Sequence, residues 1–90
     1  MAILKIPTPL RSYTDGQMEV TVGGSNVAEA MHHLVEKYPT LQPHLYNGEG
    51  RLRPFVNLFL GENNVNDLQG LETPLDEKAR LILIPSIAGG

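Results

Sequence analysis

The residue types that could do chemistry lie at the C-terminal end, where an apolar run passes into Ser-Ile-Ala-Gly-Gly at residues 86–90. Gly89 and Gly90 lack Cβ atoms, so this end is thin enough to slide into a narrow channel. Ordering glycine costs the most backbone entropy, so a glycine pair gives a stable domain little benefit there. We therefore expect residues 86–90 to form a flexible tail whose reactive group is the Gly90 carboxylate. The ordinary alternative is a frayed terminus, which is how many domains end.

A terminal carboxylate is a poor electrophile, so a nucleophile can replace its oxygen only after that oxygen has become part of a good leaving group. A slender arm would let the active site of another enzyme surround the reacting atom. The chain contains no cysteine, which excludes disulfides, thiolate zinc sites and a cysteine nucleophile within it.

The composition is that of one globular domain in a chain of 90 residues, with 41% apolar and 19% charged residues. The net charge of −3 disfavours nucleic acid as the main partner, since phosphate binding needs clustered Lys and Arg. Lys5, Pro7 and Pro9 interrupt the apolar run at the N-terminus, so a secretory signal is not expected. No stretch is apolar enough to predict a membrane span, and we expect a cytoplasmic protein.

Alternating side chains predict a β-hairpin at the start of the chain. Residues 2–10 have the pattern of a strand, but Pro7 and Pro9 remove backbone donors, so its second half is expected at a sheet edge or outside the sheet. After a turn at residues 14–16, residues 17–22 alternate again. The side chains expected on the buried face are Ala2, Leu4, Ile6, Met18, Val20 and Val22.

An amphipathic helix is predicted next. Ser25 or Asn26 can cap it; with Asn26 as N-cap, Glu29 falls at the third helical position and can reach back as in a capping box. Pro39 should end the helix, and Leu41 and Leu45 indicate one further helical turn. The apolar stripe of the main helix consists of Val27, Met31, Leu34, Val35 and Tyr38.

The most apolar strand is predicted at residues 53–60, with Val56, Leu58 and Leu60 on one face. Asn57 marks the other face as the outer one, which would leave two phenylalanines, Phe55 and Phe59, near solvent. They could form an apolar patch beside the tail for docking partners, or they could simply pack against a loop.

Three further features complete the chain. A very short strand is expected at Val65, followed by a crossing loop. A last strand is expected at residues 80–85. The leucines expected to anchor the crossing loop are Leu68, Leu71 and Leu75.

This order of elements predicts an α+β fold with a mixed sheet of four to five strands and one main helix on one face. If the first and last strands pair at the centre, the domain is a β-grasp, or ubiquitin-like, fold at residues 1–85, followed by the tail at residues 86–90. His32 and His33 point in different directions on the helix and His44 is remote, so no metal site is expected.

Several segments resemble the MoaD/ThiS family of ubiquitin-like sulfur carriers. The similarity runs along nearly the whole chain, and IPTPLR at residues 6–11 looks most like the CysO branch. Residues 76–79, Asp-Glu-Lys-Ala, depart from the Asp-Gly-Asp turn that is common in the family. The segments that carry the resemblance are FVNLFL at 55–60, LQGLETPL at 68–75 and ILIPSIAGG at 82–90.

The resemblance implies a protein substrate rather than an enzyme. A ThiF/MoeB/MoeZ-like activating enzyme would use ATP and magnesium to adenylate Gly90, and a sulfur donor would then give a thiocarboxylate. In the CysO branch the sulfur adds to an aminoacrylate on a pyridoxal-phosphate-dependent cysteine synthase, and a zinc metalloprotease frees cysteine. The chain itself would bind no cofactor and would be a monomer when free. The residues expected to contact these partners are Ile87, Ala88, Gly89, Phe55 and Phe59.

Three alternatives stay open on the sequence alone. The chain could be the small subunit of molybdopterin synthase, with the same tail chemistry, or a protein modifier joined to lysines through Gly90. It could also be a plain interaction module with an inert tail. The sulfur acceptor (cysteine, molybdopterin, thiamin or tRNA), the identity of the activating enzyme, and whether Gly90 is a natural or processed terminus are left open as well.

Overall fold

The computed structural model describes residues 1–53 and 56–85, and within them a five-stranded sheet carries the main helix on one face. The strand order is β2-β1-β5-β3-β4, with β1 and β5 parallel and the other neighbours antiparallel. The first and last strands therefore pair at the centre, and the predicted β-grasp fold is confirmed. The strands are β1 (Ala2–Lys5), β2 (Glu19–Val22), β3 (Val56–Leu60), β4 (Asn63–Asn64) and β5 (Arg80–Pro85), and the helices are α1 (Val27–Lys37) and α2 (Gln42–Leu45).

The centre of the sheet is held by leucines that meet across the strands. Leu4 of β1 lies opposite Leu81 of β5, and Leu83 of β5 lies opposite Leu58 of β3. All four side chains are buried in the core that α1 covers. Full burial of one such side chain stabilises a fold by about 1.5–3 kcal/mol. This packing fixes β5, the strand that leads to the C-terminus.

The first strand is shorter than predicted. It ends at Lys5, and the chain leaves the sheet after Ile6 to form a 3-10 helix at Thr8–Tyr13. The prolines act as expected, because a residue without an N–H cannot extend the ladder. The prediction that Met18 faces the core is wrong, since its side chain is 59% exposed. The Met18 carbonyl accepts a hydrogen bond from the Ile6 amide (2.8 Å). Met18 precedes β2, however, and lies where the segment paired with β2 leaves the sheet.

The start of α1 is capped as the sequence predicts. The Asn26 side chain accepts a hydrogen bond from the Glu29 amide (2.9 Å). The Glu29 carboxylate reaches back to the amide of Ser25 (2.8 Å), one residue before the expected position, and also to the Ser25 hydroxyl (3.0 Å). Gly24 has φ of +123°, and a Cβ built there would lie 2.8 Å from Glu29 Cβ and 2.9 Å from the Ala30 amide nitrogen. Only glycine fits this turn without strain.

After α1 the chain makes the short helical turn that was expected. A 3-10 helix at Pro39–Leu41 leads directly into α2, and Leu41 and Leu45 are fully buried. Within residues 1–53 and 56–85, no helix is long and apolar enough to cross a membrane.

Three predictions about the second half of the chain are wrong. Arg53 lies in a loop rather than at a strand start, and the short strand is β4, after which Val65 begins a 3-10 helix. Leu68 and Leu71 are 44% and 42% exposed instead of anchoring the crossing loop. Leu68 follows one 3-10 turn and Leu71 lies in the next, so the two leucines share no buried face. Buried Thr73 holds the loop instead, through hydrogen bonds to the Gly70 carbonyl and from the Gln69 amide.

Candidate functional site

The last strand provides a fixed base for the C-terminal end of the chain. β5 pairs with β1 as far as Ile82, opposite Lys5, and with β3 as far as Pro85, opposite Val56. Leu81 and Leu83 anchor it in the core. The segment beyond Pro85 therefore starts from the middle of the sheet rather than from a loose edge.

Most of the predicted site residues lie outside the described part of the chain. The residues outside it are Phe55, Ile87, Ala88, Gly89 and Gly90 with its carboxylate. Phe59 is described, and it lies on the face of β3 opposite the buried Val56 and Leu58, as the alternation predicts.

Two isoleucines that the sequence reasoning missed extend the apolar surface around Phe59. Ile82 lies directly opposite Phe59 in the β3–β5 ladder, and Ile84 is two residues further along β5, opposite Asn57. Phe59 and Ile82 are half-buried, and Ile84 is 43% exposed. We call Phe59, Ile82 and Ile84 the outer apolar patch. The signal was present, because a strand with Leu81 and Leu83 inside must turn Ile82 and Ile84 outward.

Charged groups border the outer apolar patch on the side of β1 and β2. Lys5 lies opposite Ile82 and is exposed. Arg80 donates to the Glu19 carboxylate at 3.2 Å, with both side chains about half exposed or more. An exposed pair of this kind contributes at most about 1 kcal/mol to stability. An apolar centre with a charged rim is typical of a protein-docking surface.

The three histidines are not brought together. The His32 ring lies 3.6 Å from the Glu36 carboxylate, and His33 lies beside Gly23. The His44 ring stacks on Tyr13, with ring centroids 4.2 Å apart. Among residues 1–53 and 56–85, no cluster of three His, Cys, Asp or Glu side chains could hold a metal ion.

The comparisons with known proteins agree with this geometry. Residues 4–90 match the family model described as the ThiS family. The sulfur carrier protein CysO of Mycobacterium tuberculosis is 29% identical over 89 residues, which cover 97% of this chain and 96% of that protein.

Solved structures show the same similarity in three dimensions. The Amycolatopsis orientalis BexX/CysO complex contains a chain that is 28% identical, with a TM-score of 0.87 and 100% of both chains covered. Small archaeal modifier protein 1 from Methanosarcina acetivorans is 26% identical, with a TM-score of 0.89, and the match covers 99% of this chain and 95% of that one.

Proposed function

The chain belongs to the ThiS family, and from this membership we propose that it is a sulfur carrier whose Gly90 carboxylate becomes a thiocarboxylate that donates sulfur in cysteine biosynthesis. The observation that carries the proposal is the family match, which runs through residue 90 and so includes the glycine pair. The similarity to CysO along nearly the whole chain supports the cysteine branch. On this proposal the chain is a substrate protein and not an enzyme.

The proposed chemistry takes place in partner enzymes. A Gly90 carboxylate oxygen attacks the α-phosphorus of ATP, and pyrophosphate leaves. The terminal sulfur of a donor persulfide then attacks the carbonyl carbon, and AMP leaves with that oxygen, which gives an acyl disulfide. A thiol of the partner enzymes attacks the donor's sulfur in that disulfide, so a new disulfide forms and the thiocarboxylate is released. One sulfur atom has replaced one oxygen atom. ATP and magnesium belong to a ThiF/MoeB/MoeZ-like activating enzyme and pyridoxal phosphate to a cysteine synthase, and this chain needs no cofactor of its own.

The chain contributes presentation and docking to this chemistry. We propose that residues 1–85 form the body and residues 86–90 a flexible arm, because β5 ends in the middle of the sheet and the arm closes with two glycines. The outer apolar patch, together with Phe55, would contact the partner surface, while Ile87, Ala88 and Gly89 enter its channel. The free carrier is proposed to be a cytoplasmic monomer, and a zinc metalloprotease would release the finished cysteine.

Reconstitution with purified partners tests the proposal. The chain is incubated with ATP, magnesium, an activating enzyme, a sulfur source and a cysteine synthase holding an aminoacrylate. We expect a cysteinyl adduct on Gly90, and none on a control chain from which Gly90 has been removed. A thiocarboxylate that forms but transfers nothing to the aminoacrylate would contradict the cysteine branch while leaving the carrier role intact.

A second candidate is a protein modifier, which is favoured by the structural similarity to a small archaeal modifier protein. In that case an activated Gly90 would form isopeptide bonds with lysines of other proteins. The expected observation is a ladder of high-mass conjugates in cell extract that disappears with Gly90→Ala. Free carrier as the only species in the extract would contradict this function.

A further inference from the structure

The loop between Tyr46 and Leu52 contains the one Asn-Gly sequence of the chain, Asn47-Gly48. Tyr46 and Leu52 form an isolated antiparallel bridge at the base of the loop. Within the loop, the Asn47 amide donates to the Arg51 carbonyl at 2.8 Å. The Asn-Gly pair therefore lies in a loop of defined conformation, and the groups around it determine how it can react.

The backbone does not require a glycine at position 48. Gly50, in the same loop, has φ of +79°, a conformation that favours glycine, but Gly48 is not among the residues with positive φ. A Cβ built on Gly48 would meet nothing within 4 Å. Neither the conformation nor close packing explains this glycine. What it provides is a backbone nitrogen uncrowded by a side chain, directly after an asparagine.

The side-chain carbonyl of Asn47 is polarised by the loop. Its Oδ1 atom accepts hydrogen bonds from the amides of Glu49 (2.9 Å) and Arg51 (3.1 Å). Both donors draw electron density away from Cγ, which makes that carbon more electrophilic. When a nucleophile adds to Cγ, negative charge develops on Oδ1, and the same two amides stabilise it as the donors of an oxyanion hole do.

The Gly48 amide is the nucleophile that the chain itself places next to this carbon. Among the residues that the structure describes, none accepts a hydrogen bond from the Gly48 N–H, and Gly48 is exposed. A base from solvent can therefore remove the proton without breaking a hydrogen bond within the described protein. Attack of this nitrogen on Asn47 Cγ closes a five-membered ring, so no other residue is needed to bring the two groups together.

Two other asparagines with a hydrogen-bonded side chain lack one of these features. Asn26 also accepts from an amide, but the amide that follows it, that of Val27, donates to a backbone carbonyl at 3.1 Å. Asn64 accepts from the amide two residues later, but it is followed by Val65, whose branched side chain is buried. The polarised carbonyl and the free, uncrowded amide thus occur together at Asn47.

We propose that Asn47 is a modification site at which the side chain is deamidated through a succinimide. The Gly48 amide loses its proton to a solvent base, its nitrogen forms a bond to Asn47 Cγ, and the side-chain nitrogen takes a solvent proton and leaves as ammonia. Water then opens the ring. Cleavage between Gly48 N and Cγ gives aspartate, and cleavage between Gly48 N and the Asn47 backbone carbonyl carbon gives isoaspartate. The reaction goes beyond the proposed function, since it requires neither sulfur chemistry nor a partner protein.

The two products should affect the loop differently. Aspartate at position 47 can accept the same two amide hydrogen bonds, and its charge strengthens them. Isoaspartate inserts a methylene group into the main chain before Gly48, so the hydrogen bonds that now join position 47 to Glu49 and Arg51 cannot all be kept. Either product makes the net charge, which is −3 in the unmodified chain, one unit more negative.

The test is incubation of the folded chain in mildly alkaline buffer, followed by measurement of the intact mass and by fragmentation of its peptides. We expect a gain of one mass unit, released ammonia, and both aspartate and isoaspartate at position 47. None of the other asparagines should react before Asn47. The rate should rise with pH, because the Gly48 nitrogen attacks only after it has lost its proton.

Two variants in the same loop make the test specific. Gly48→Ala should lose most of the mass gain, because the added methyl group crowds the attacking nitrogen. It should keep the fold, because its Cβ lies in open space. Glu49→Ala is the matched control, since it shortens an exposed side chain and keeps the amide that donates to Asn47, and it should react as fast as the unmodified chain.

A capped peptide of residues 45–52 shows the reactivity of the same sequence without the fold. The folded chain should react at least as fast as this peptide, because only the folded chain holds both amides on Asn47 Oδ1.

Three results would overturn the inference. The first is a folded chain in which Asn47 stays unmodified, or reacts more slowly than in the peptide, because the loop would then protect the asparagine. The second is a reaction that begins at another asparagine. The third is a Gly48→Ala variant that reacts as fast as the unmodified chain, or that loses no more of the mass gain than Glu49→Ala does.

Discussion

Leu83 and Ile84 are neighbours on β5, and replacing each with alanine should separate stability from docking. Leu83 is 1% exposed and packs in the core, so Leu83→Ala creates a cavity. Truncations of this kind lower the free energy of unfolding by about 2–5 kcal/mol. For a domain of this size, about 4–8 °C of melting temperature is lost per kcal/mol. Leu83→Ala should therefore lower the melting temperature by about 10 °C or more.

Ile84→Ala should have a small effect on stability. The side chain is 43% exposed on the outer apolar patch, so only part of its apolar area is buried on folding. Full burial of an isoleucine contributes about 1.5–3 kcal/mol, so removing a partly buried one should lower the free energy of unfolding by about 1 kcal/mol. On the proposed function, however, it removes a central docking contact. A contact of that kind contributes more than about 1 kcal/mol to binding, so KM for the activating enzyme should rise about tenfold.

Two assays on the same pair of variants test this reasoning. Chemical denaturation gives the free energy of unfolding, and adenylation kinetics well below the melting temperature give kcat and KM. We expect Leu83→Ala to lower stability and to leave KM unchanged. We expect Ile84→Ala to raise KM, to leave kcat unchanged and to lower stability much less than Leu83→Ala does. Equal destabilisation by the two variants would refute the assignment of faces on β5. An unchanged KM for Ile84→Ala would refute the docking role of the patch.

Three further predictions concern the described body of the domain. Gly24→Ala should lower the free energy of unfolding by about 2 kcal/mol or more, because a positive φ is combined with a clash against the Ala30 backbone nitrogen. Gly16 also has a positive φ, of +80°, but a Cβ there would meet open space. Gly16→Ala should therefore have a smaller effect in the same denaturation experiment. Hydrogen bonds from the Ser25 amide and hydroxyl lower the pKa of Glu29 below 4.5, so the contribution of Glu29 to stability is present above that pH and is lost as pH falls through the lowered pKa. Glu29→Gln should remove this part of the acid dependence of stability in denaturation curves. An unchanged acid dependence would contradict the cap. Burial raises the pKa of Tyr46 above 10.0, so stability should fall as pH rises beyond 10.0, where the tyrosine ionises first in the unfolded chain. Tyr46→Phe should reduce this alkaline loss of stability, as measured by thermal unfolding. An equal loss in both proteins would contradict the burial of the hydroxyl.

Local signals predicted the elements of the fold well. The Asn26 cap and the stop at Pro39 depend on a few neighbouring residues, and both delimit α1 as expected. Pro7 removes a ladder donor whatever the rest of the chain does, and β1 ends just before it. The pairing of β1 with β5 entered the sequence analysis only as a condition for the β-grasp fold, because periodicity does not say which strands are neighbours.

The misplaced residues depended on contacts distant in sequence. Leu68 and Leu71 were expected to anchor the crossing loop, and only the tertiary structure shows that they lie at two separate 3-10 turns and are exposed. Met18 continues the alternation of β2, yet the segment beside it leaves the sheet directly after Ile6, which donates to the Met18 carbonyl. Ile82 and Ile84 lie within an almost continuous apolar run, so their outward orientation became evident only when Leu81 and Leu83 were placed in the core.

The most direct test of the central claim is the intact mass of the chain after incubation with ATP, magnesium, an activating enzyme and a sulfur source. The proposed function predicts that one oxygen is exchanged for one sulfur, that fragmentation locates the sulfur at Gly90, and that a chain without Gly90 is unchanged. An unmodified mass, obtained with an enzyme that converts another carrier under the same conditions, would contradict the claim. So would sulfur located anywhere other than the C-terminal carboxyl group.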